Sequence, residues 1–432
     1  MSPRRPFRLR VVLVGLLSWV TGHAEVQKPG FNYDEAKVPP YTLPDVLTAV
    51  DGSKVTDVKT WETRRRPELL GLFADHMHGR TPAGEVAVRE ERMRREPALA
   101  GRAIRKQVRL VFERNGVKRH VDVLMYLPAE ARGPVPAFLG LNFHGNHTVH
   151  ADPGINLPTG WVANIPAEGL TNNVASERLR GYQESRWQVE KLIGRGYAVV
   201  TAYYGDFFPD HAEGRADSVI ALYQSDVTPT DWNAVGAWAW GLSRLADYLA
   251  KSGDIDMTRL ALHGHSRLGK AALWAGAQDG RFALVIANDS GEGGAALARR
   301  WFGETTKRIN ASFPHWFSGA FKRYDDREAT LPFDQHALLA LIAPRPLYIA
   351  SATDDLWADP TGEFLSAYHA GPVYALYGKA GVGRATPPAP DQPVGDVVAY
   401  HRRTGEHDIK AYDWDRYLDF AERHLGRPGS GR

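Results

Sequence analysis

The chain has 432 residues, with 53 Lys and Arg against 50 Asp and Glu, and no cysteine. A polypeptide of this length can bury a large core without covalent staples, and the lack of cysteine excludes a thiolate nucleophile, a thiolate zinc site and a disulfide framework. The formal charge of +3 belongs to the start of the chain: removing Arg4, Arg5, Arg8 and Arg10 takes it to −1, so charge offers no argument for a nucleic-acid partner.

Those arginines precede an apolar run, Val11 to Val20, and then Thr21-Gly22-His23-Ala24, with small residues where a signal peptidase reads. Residues 1–24 therefore read as a secretory signal peptide, too short to span a bilayer. The expectation is a periplasmic or secreted protein, free of the membrane after cleavage. Residues 25–432 are expected to form one catalytic domain, of which 25–100 are an N-terminal elaboration.

Residues 25–40 lack periodicity and read as an extended lead-in. Trp61 to Met77 carries Leu69, Leu70, Leu72 and Phe73 near one face and predicts a helix ending at Gly79. Strand-like runs at Arg105–Glu113 and Arg119–Leu127 flank Asn115-Gly116, a strong hairpin signal. Pro136 to Phe143 predicts a buried strand, followed by His144-Gly145-Asn146-His147. A His-Gly pair there resembles the loop that supplies one oxyanion amide in α/β-hydrolases. His144, His147 and His150 could suggest a metal, but no carboxylate motif accompanies them, and neither a metal nor a cofactor is expected.

Residues 146–184, rich in Pro, Gly and Asn, read as an insertion over the sheet. A helix is predicted from Arg186 to Leu192, a strand from Tyr197 to Tyr203 and a long helix from Asp231 to Leu249. Further strands are predicted at Phe282–Ala287, Pro346–Ala350 and Val373–Tyr377, and a last helix from Tyr412 to His424. Strands alternating with helices specify a mostly parallel sheet flanked by helices.

The centre of this pattern is Leu260-Ala261-Leu262-His263-Gly264-His265-Ser266-Arg267-Leu268-Gly269-Lys270. A buried strand runs into Gly264, and Ala271 to Trp274 continue at helical spacing, so Ser266 falls on a strand-to-helix turn. That is the nucleophile elbow of the α/β-hydrolase fold. Side chains at Gly264 and near Gly269 would clash where strand and helix cross.

In this fold the triad runs in the order serine, acid, histidine. His407, in Thr404-Gly405-Glu406-His407-Asp408, is the best base; His401, His369 and His336 are rivals. Two residues could be the acid. Asp289 ends the strand after the elbow helix, and Asp355 follows the later strand that holds the acid in most α/β-hydrolases. Asp355 ranks slightly ahead.

The string Gly264-His265-Ser266-Arg267-Leu268-Gly269-Lys270 resembles the G-x-S-R-x-G-K signature of the glucuronoyl esterases, a family of carbohydrate esterases, and the resemblance extends from about Pro39 to Leu425, closest to the bacterial branch. It implies a serine esterase that cleaves the ester between a glucuronic acid carboxyl on xylan, 4-O-methylated, and a lignin unit or other alcohol. An acetyl xylan esterase or another secreted carboxylesterase is the alternative, and a catalytically dead carbohydrate-binding protein a more distant one. The resemblance assigns Arg267 to the oxyanion, Lys270 and Glu304 to sugar hydroxyls, and Trp357 to the aromatic wall of the sugar site. It also places a glutamate in the fungal members where this chain has Asp289, and an aspartate is one methylene shorter in reach. Those members carry Cys where this chain has His265 and Asp408, so the disulfide joining those loops cannot form, and packing is expected to orient His407. The protein is expected to act as a monomer.

Overall fold

The structure, a computed structural model, describes residues 27–223, 228 and 230–428; the signal-peptide segment lies outside the described residues. Ten strands form one sheet: β1 (Ala87–Ala98), β2 (Ala103–Arg114), β3 (Val117–Pro128), β4 (Val135–Asn142), β5 (Ala198–Tyr203), β6 (Ile255–His265), β7 (Leu284–Asn288), β8 (Leu347–Ala352), β9 (Val394–Gly395) and β10 (Val398–Arg403). Their order is β1-β2-β3-β5-β4-β6-β7-β8-β10-β9. From β5 to β10 neighbouring strands run parallel, while β1 to β3 and the short β9 are antiparallel additions at the two edges.

The parallel strands are covered on both faces and read as nearly unbroken apolar runs. Successive residues still alternate between two cores. On β4, Ala137, Leu139 and Leu141 pack into one, while Phe138 packs into the other with Val199, Ala261 and Ile286. The helices Ala234–Ser252 and Arg267–Gln278 cover the first face, and Ala411–Leu425 covers the second through Trp414, Tyr417 and Leu418.

The predicted hairpin pairs across Asn115-Gly116 as expected, with Arg114 opposite Val117 and φ positive at both turn residues. The predicted N-terminal helix is a continuous helical stretch from Val58 to His78 that widens to π geometry at Trp61–Arg65 and Ala74–His78. The segment 146–184 has no strand, only short helical turns, and is tied to β2 and β3 through the pairs Arg105 with Asp152, Gln107 with Gly154 and Asn146 with Asp122.

Three expectations need correction. Val373–Tyr377 is not a strand: Gly371–Leu376 is helical, with Pro372 in its first turn and Val373 and Tyr374 turned into the core. The strand before His407 is instead β10, Val398–Arg403. The helix opening at Arg186 breaks after Trp187, because Gln188 takes a left-handed conformation (φ 44°), and resumes at Val189–Gly194.

Candidate active site

Strand β6 ends at His265, and the helix beginning at Arg267 leaves it at once, so the chain reverses about a single residue. Ser266 is that residue, at φ 56° and ψ −131°, outside the ordinary regions for a side chain. The turn is possible because position 264 has no Cβ: one placed there would lie 2.1 Å from Leu268 O and 2.4 Å from its carbonyl carbon. The strain holds the serine above the C-terminal edge of the sheet.

Five other strand ends and loops converge on it. A cleft of about 330 Å³ is lined by Ser266, Arg267, Lys270, Asp289, Glu304, Asp355, Trp357 and His407, together with Lys28, Ser290, Gly291, Arg308, Ala311, Ser312, Phe313, Trp316 and Ala358. The side chains expected to act in catalysis or sugar binding, from Ser266 to His407, therefore all lie on one cleft.

His407 Nδ1 donates to Asp355 Oδ2 at 2.6 Å, and Asp355 is 1% exposed while the His407 side chain is 25% exposed. Asp289 is close, since the ligand atoms of Asp289, Asp355 and His407 all lie within 4.8 Å of one another. Neither of its carboxylate oxygens has a hydrogen-bond partner among the described residues. Burial, reinforced by the neighbouring Asp355 and Glu363, pushes its carboxyl well above the ordinary range and favours the protonated form. The two carboxyls thus have different environments: one bonds the imidazole, the other is buried and unbonded.

The His407 loop is oriented by more than packing. Arg403 donates to Glu406 O at 2.8 Å and to Asp408 O at 2.9 Å, on either side of His407, and is itself held by Asp413 at 3.0 Å. Arg186 pairs with Asp408 at 2.5 Å. These charge-assisted bonds stand where the disulfide is missing. The rival His401 is buried, bonded to Asp413 at 2.8 Å and to Tyr348 at 3.0 Å. His336 is buried, bonds Pro44 O at 3.0 Å and does not line the cleft.

Arg267 turns back to Asp210, a residue that sequence reasoning missed. The Asp210 carboxylate also accepts from His315 Nε2 and Trp316 Nε1, each at 2.7 Å, and from Tyr204 OH at 3.0 Å. Burial raises its pKa, but Arg267 and these donors outweigh burial and hold the carboxyl well below its ordinary range. Burial in turn disfavours the charge on Arg267, and Asp210 overrides that cost. Asp210 lies in a loop 57 residues before Arg267, with no motif about it, so nothing in the sequence tied it to Ser266.

Lys270 is 4% exposed. Its Nζ donates to Ser290 O and, at 2.7 Å, to Glu292 O, and burial lowers its pKa. The loop it touches is pinned by Glu363, which accepts from Ser290 N at 2.8 Å, Gly291 N at 2.9 Å and Ser351 Oγ at 2.6 Å. Glu304 N donates to Trp357 O at 3.0 Å, which ties the two expected sugar-site residues together. Lys28 Nζ stands 3.6 Å from the centroid of the Trp357 ring.

The loop after β4 stands beside Arg267, whose guanidinium carbon lies 6.0 Å from the Phe143 ring centroid. Gly145 N donates to Asn142 Oδ1 at 2.8 Å, and neither His144 nor Gly145 lines the cleft. The three nearby histidines separate: His147 bonds Ser176 O at 3.1 Å, His150 Nδ1 accepts from Asp152 N at 3.0 Å, and burial takes His144 down to about 3. Among the described residues the grouping with donor atoms close enough to hold a metal is Asp289, Asp355 and His407 itself.

A serine on a strand-to-helix elbow, at the C-terminal edge of a parallel sheet and beside a His–Asp pair, is the arrangement of the α/β-hydrolases that cleave carboxylic esters. Comparisons with known proteins narrow the class. Residues 185–378 match the family model for fungal glucuronyl esterase. A carbohydrate esterase from an unknown prokaryotic organism is 49% identical over 421 residues, covering 96% of this chain and 98% of that protein. A promiscuous esterase of carbohydrate esterase family 15 from a marine bacterial metagenome superposes with a TM-score of 0.86 at 50% identity, over 91% of this chain and 100% of the other. A glucuronoyl esterase from Solibacter usitatus gives a TM-score of 0.85 at 48% identity, over 90% and 100%. The chain belongs to the glucuronoyl esterases, carbohydrate esterase family 15, and is a carboxylic ester hydrolase.

Proposed function

We propose that the protein hydrolyses esters of glucuronic acid, 4-O-methylated on xylan, with lignin or other alcohols, and does so as a secreted or periplasmic monomer after loss of residues 1–24. Ser266 Oγ attacks the ester carbonyl while His407 takes its proton, and Asp355 holds the imidazole in the tautomer that can accept it. The oxyanion forms beside the Arg267 guanidinium, a donor worth about 2.7–4 kcal/mol at such a position. His407 returns the proton to the departing alcohol, and water then cleaves the glucuronoyl-enzyme by the reverse use of the same groups. Lys270 and Glu304 take sugar hydroxyls, and Trp357 receives a ring face.

The observation that supports this reading best is the pair of buried cations one and four residues after Ser266: Arg267 held on Asp210, and Lys270 on two backbone carbonyls. Two cations that the fold already holds beside the serine can donate further to the oxygens of a sugar acid, which an apolar acyl group does not offer. The Solibacter relative is named for the same ester class. The test compares methyl glucuronate with 4-nitrophenyl acetate, side by side, together with labelling by a fluorophosphonate. The expected result is preferential turnover of methyl glucuronate and labelling that disappears in Ser266→Ala. Preference for the acetate would favour a general or acetyl-xylan esterase, and absence of labelling would favour a binding protein.

A further inference from the structure

We infer that the strap from Lys28 to Glu35 belongs to the substrate site and that Lys28 helps to set its specificity, an inference that rests on the sugar-acid reading above. The strap is built into the wall of the cleft. Asn32 O accepts from Gly303 N at 2.8 Å, and the Glu35 carboxylate accepts from Arg300 Nη2 at 2.7 and 2.9 Å. Phe31 meets Trp357 at 80°, with ring centroids 4.9 Å apart. Tyr33 OH accepts from the Lys28 amide at 2.9 Å, which fixes the backbone of Lys28 at the cleft.

Lys28 Nζ lies over the ring of Trp357, and both side chains line the cleft. An ammonium over an indole at a partly exposed position is held weakly. A pyranose that stacks on Trp357 comes to the place where this ammonium lies, so the ammonium must move. Its four-carbon stem and three rotatable donors let it pass from the indole face to the ring's oxygens. The cation is then exchanged between partners as the sugar enters, and an ester whose acyl part is not a sugar ring leaves it on the indole. Lys28 therefore favours the uronate ester over simple esters through binding, without touching the reacting atoms.

The experiment measures kcat and KM of Lys28→Met and Lys28→Arg on methyl glucuronate and on 4-nitrophenyl acetate. Methionine keeps the stem and removes the charge; arginine keeps the charge. In Lys28→Met the KM for methyl glucuronate should rise about tenfold, the size of one lost charged hydrogen bond, with kcat and both acetate constants within about twofold. Lys28→Arg should recover most of the difference. An unchanged KM in Lys28→Met overturns the inference, and a lowered one would make the ammonium only a plug over Trp357. If the unaltered enzyme cleaves the acetate and not methyl glucuronate, the functional reading fails, and this inference with it; normal glucuronate turnover with indifferent Lys28 variants sinks this inference alone.

Discussion

Asp289 and Asp355 lie near the same imidazole, yet their surroundings separate them. Asp355 bonds Nδ1 at 2.6 Å, whereas Asp289 has no hydrogen-bond partner among the described residues and is pushed toward its neutral form. Asp355→Asn should lower kcat by about 10⁴-fold, the scale of losing the acid of a serine triad. Asp289→Asn, close in shape to the protonated acid, should cost less than about tenfold. Steady-state kinetics on methyl glucuronate decide it: a severe loss at Asp289 with a mild one at Asp355 would reverse the assignment. Asp210 invites a second comparison, because it compensates the charge of Arg267 from within the fold. Removing one partner of a buried pair costs about 3–5 kcal/mol, so Asp210→Ala should unfold at a markedly lower temperature. Asp210→Asn keeps an acceptor and should remain folded, with kcat falling more than KM as the guanidinium loses its anchor; an unaltered kcat would detach Asp210 from the oxyanion.

At the scale of elements, the elbow was legible because its demands are local. A strand, a missing Cβ, a serine and a helix follow one another within a few residues, and each leaves a mark in the sequence. Gly264→Ala tests that demand: its Cβ would fall 2.1 Å from Leu268 O, a backbone atom that cannot swing away. Overpacking typically costs about 1–3 kcal/mol, and here the strand-helix crossing must also shift. A lower melting temperature and loss of turnover are expected together; full activity at the wild-type melting temperature would contradict the close crossing. The elements that sequence reading missed lack such marks. Strand β1, Ala87–Ala98, is exposed over nearly its whole length and carries charged residues on both faces, so it shows no apolar alternation. Strand β10 ends in His401-Arg402-Arg403, and its buried His401 and Arg403 are stabilised by Asp413, on a helix ten or more residues later. Conversely, Val373-Tyr374-Ala375-Leu376-Tyr377 has strand-like composition, but its packing face is helical. The residues that support the site, Asp210, Glu363, Arg403 and Lys28, come from distant loops and elements, and only the folded chain brings them to Ser266.

For the whole molecule, burial of titratable groups sets how stability depends on pH. Burial raises Asp206 to about 8, Glu363 to about 7 and Asp359 to about 6. It lowers His78 and His263 to about 3 and His147 and His336 to about 4. A carboxyl with a raised folded pKa stabilises fully below its unfolded value of about 4 and loses that contribution as pH rises through the folded value. A histidine with a lowered folded pKa does the opposite: its contribution is complete above about 6.5 and is lost as pH falls through the folded value. Between about pH 4 and 6.5 the two sets oppose each other. Above 6.5 these histidines no longer change, while Asp206 continues to lose its contribution until about pH 8. The melting temperature should therefore fall from pH 6.5 to 8.5. Asp206 accepts from Asp122 N at 3.2 Å, and Asp122 itself repels its ionised form. Asp206→Asn retains an acceptor and cannot ionise, so it should flatten that alkaline fall. Calorimetry of both proteins across this range is the measurement, and an equally steep fall in Asp206→Asn would place its origin in other groups.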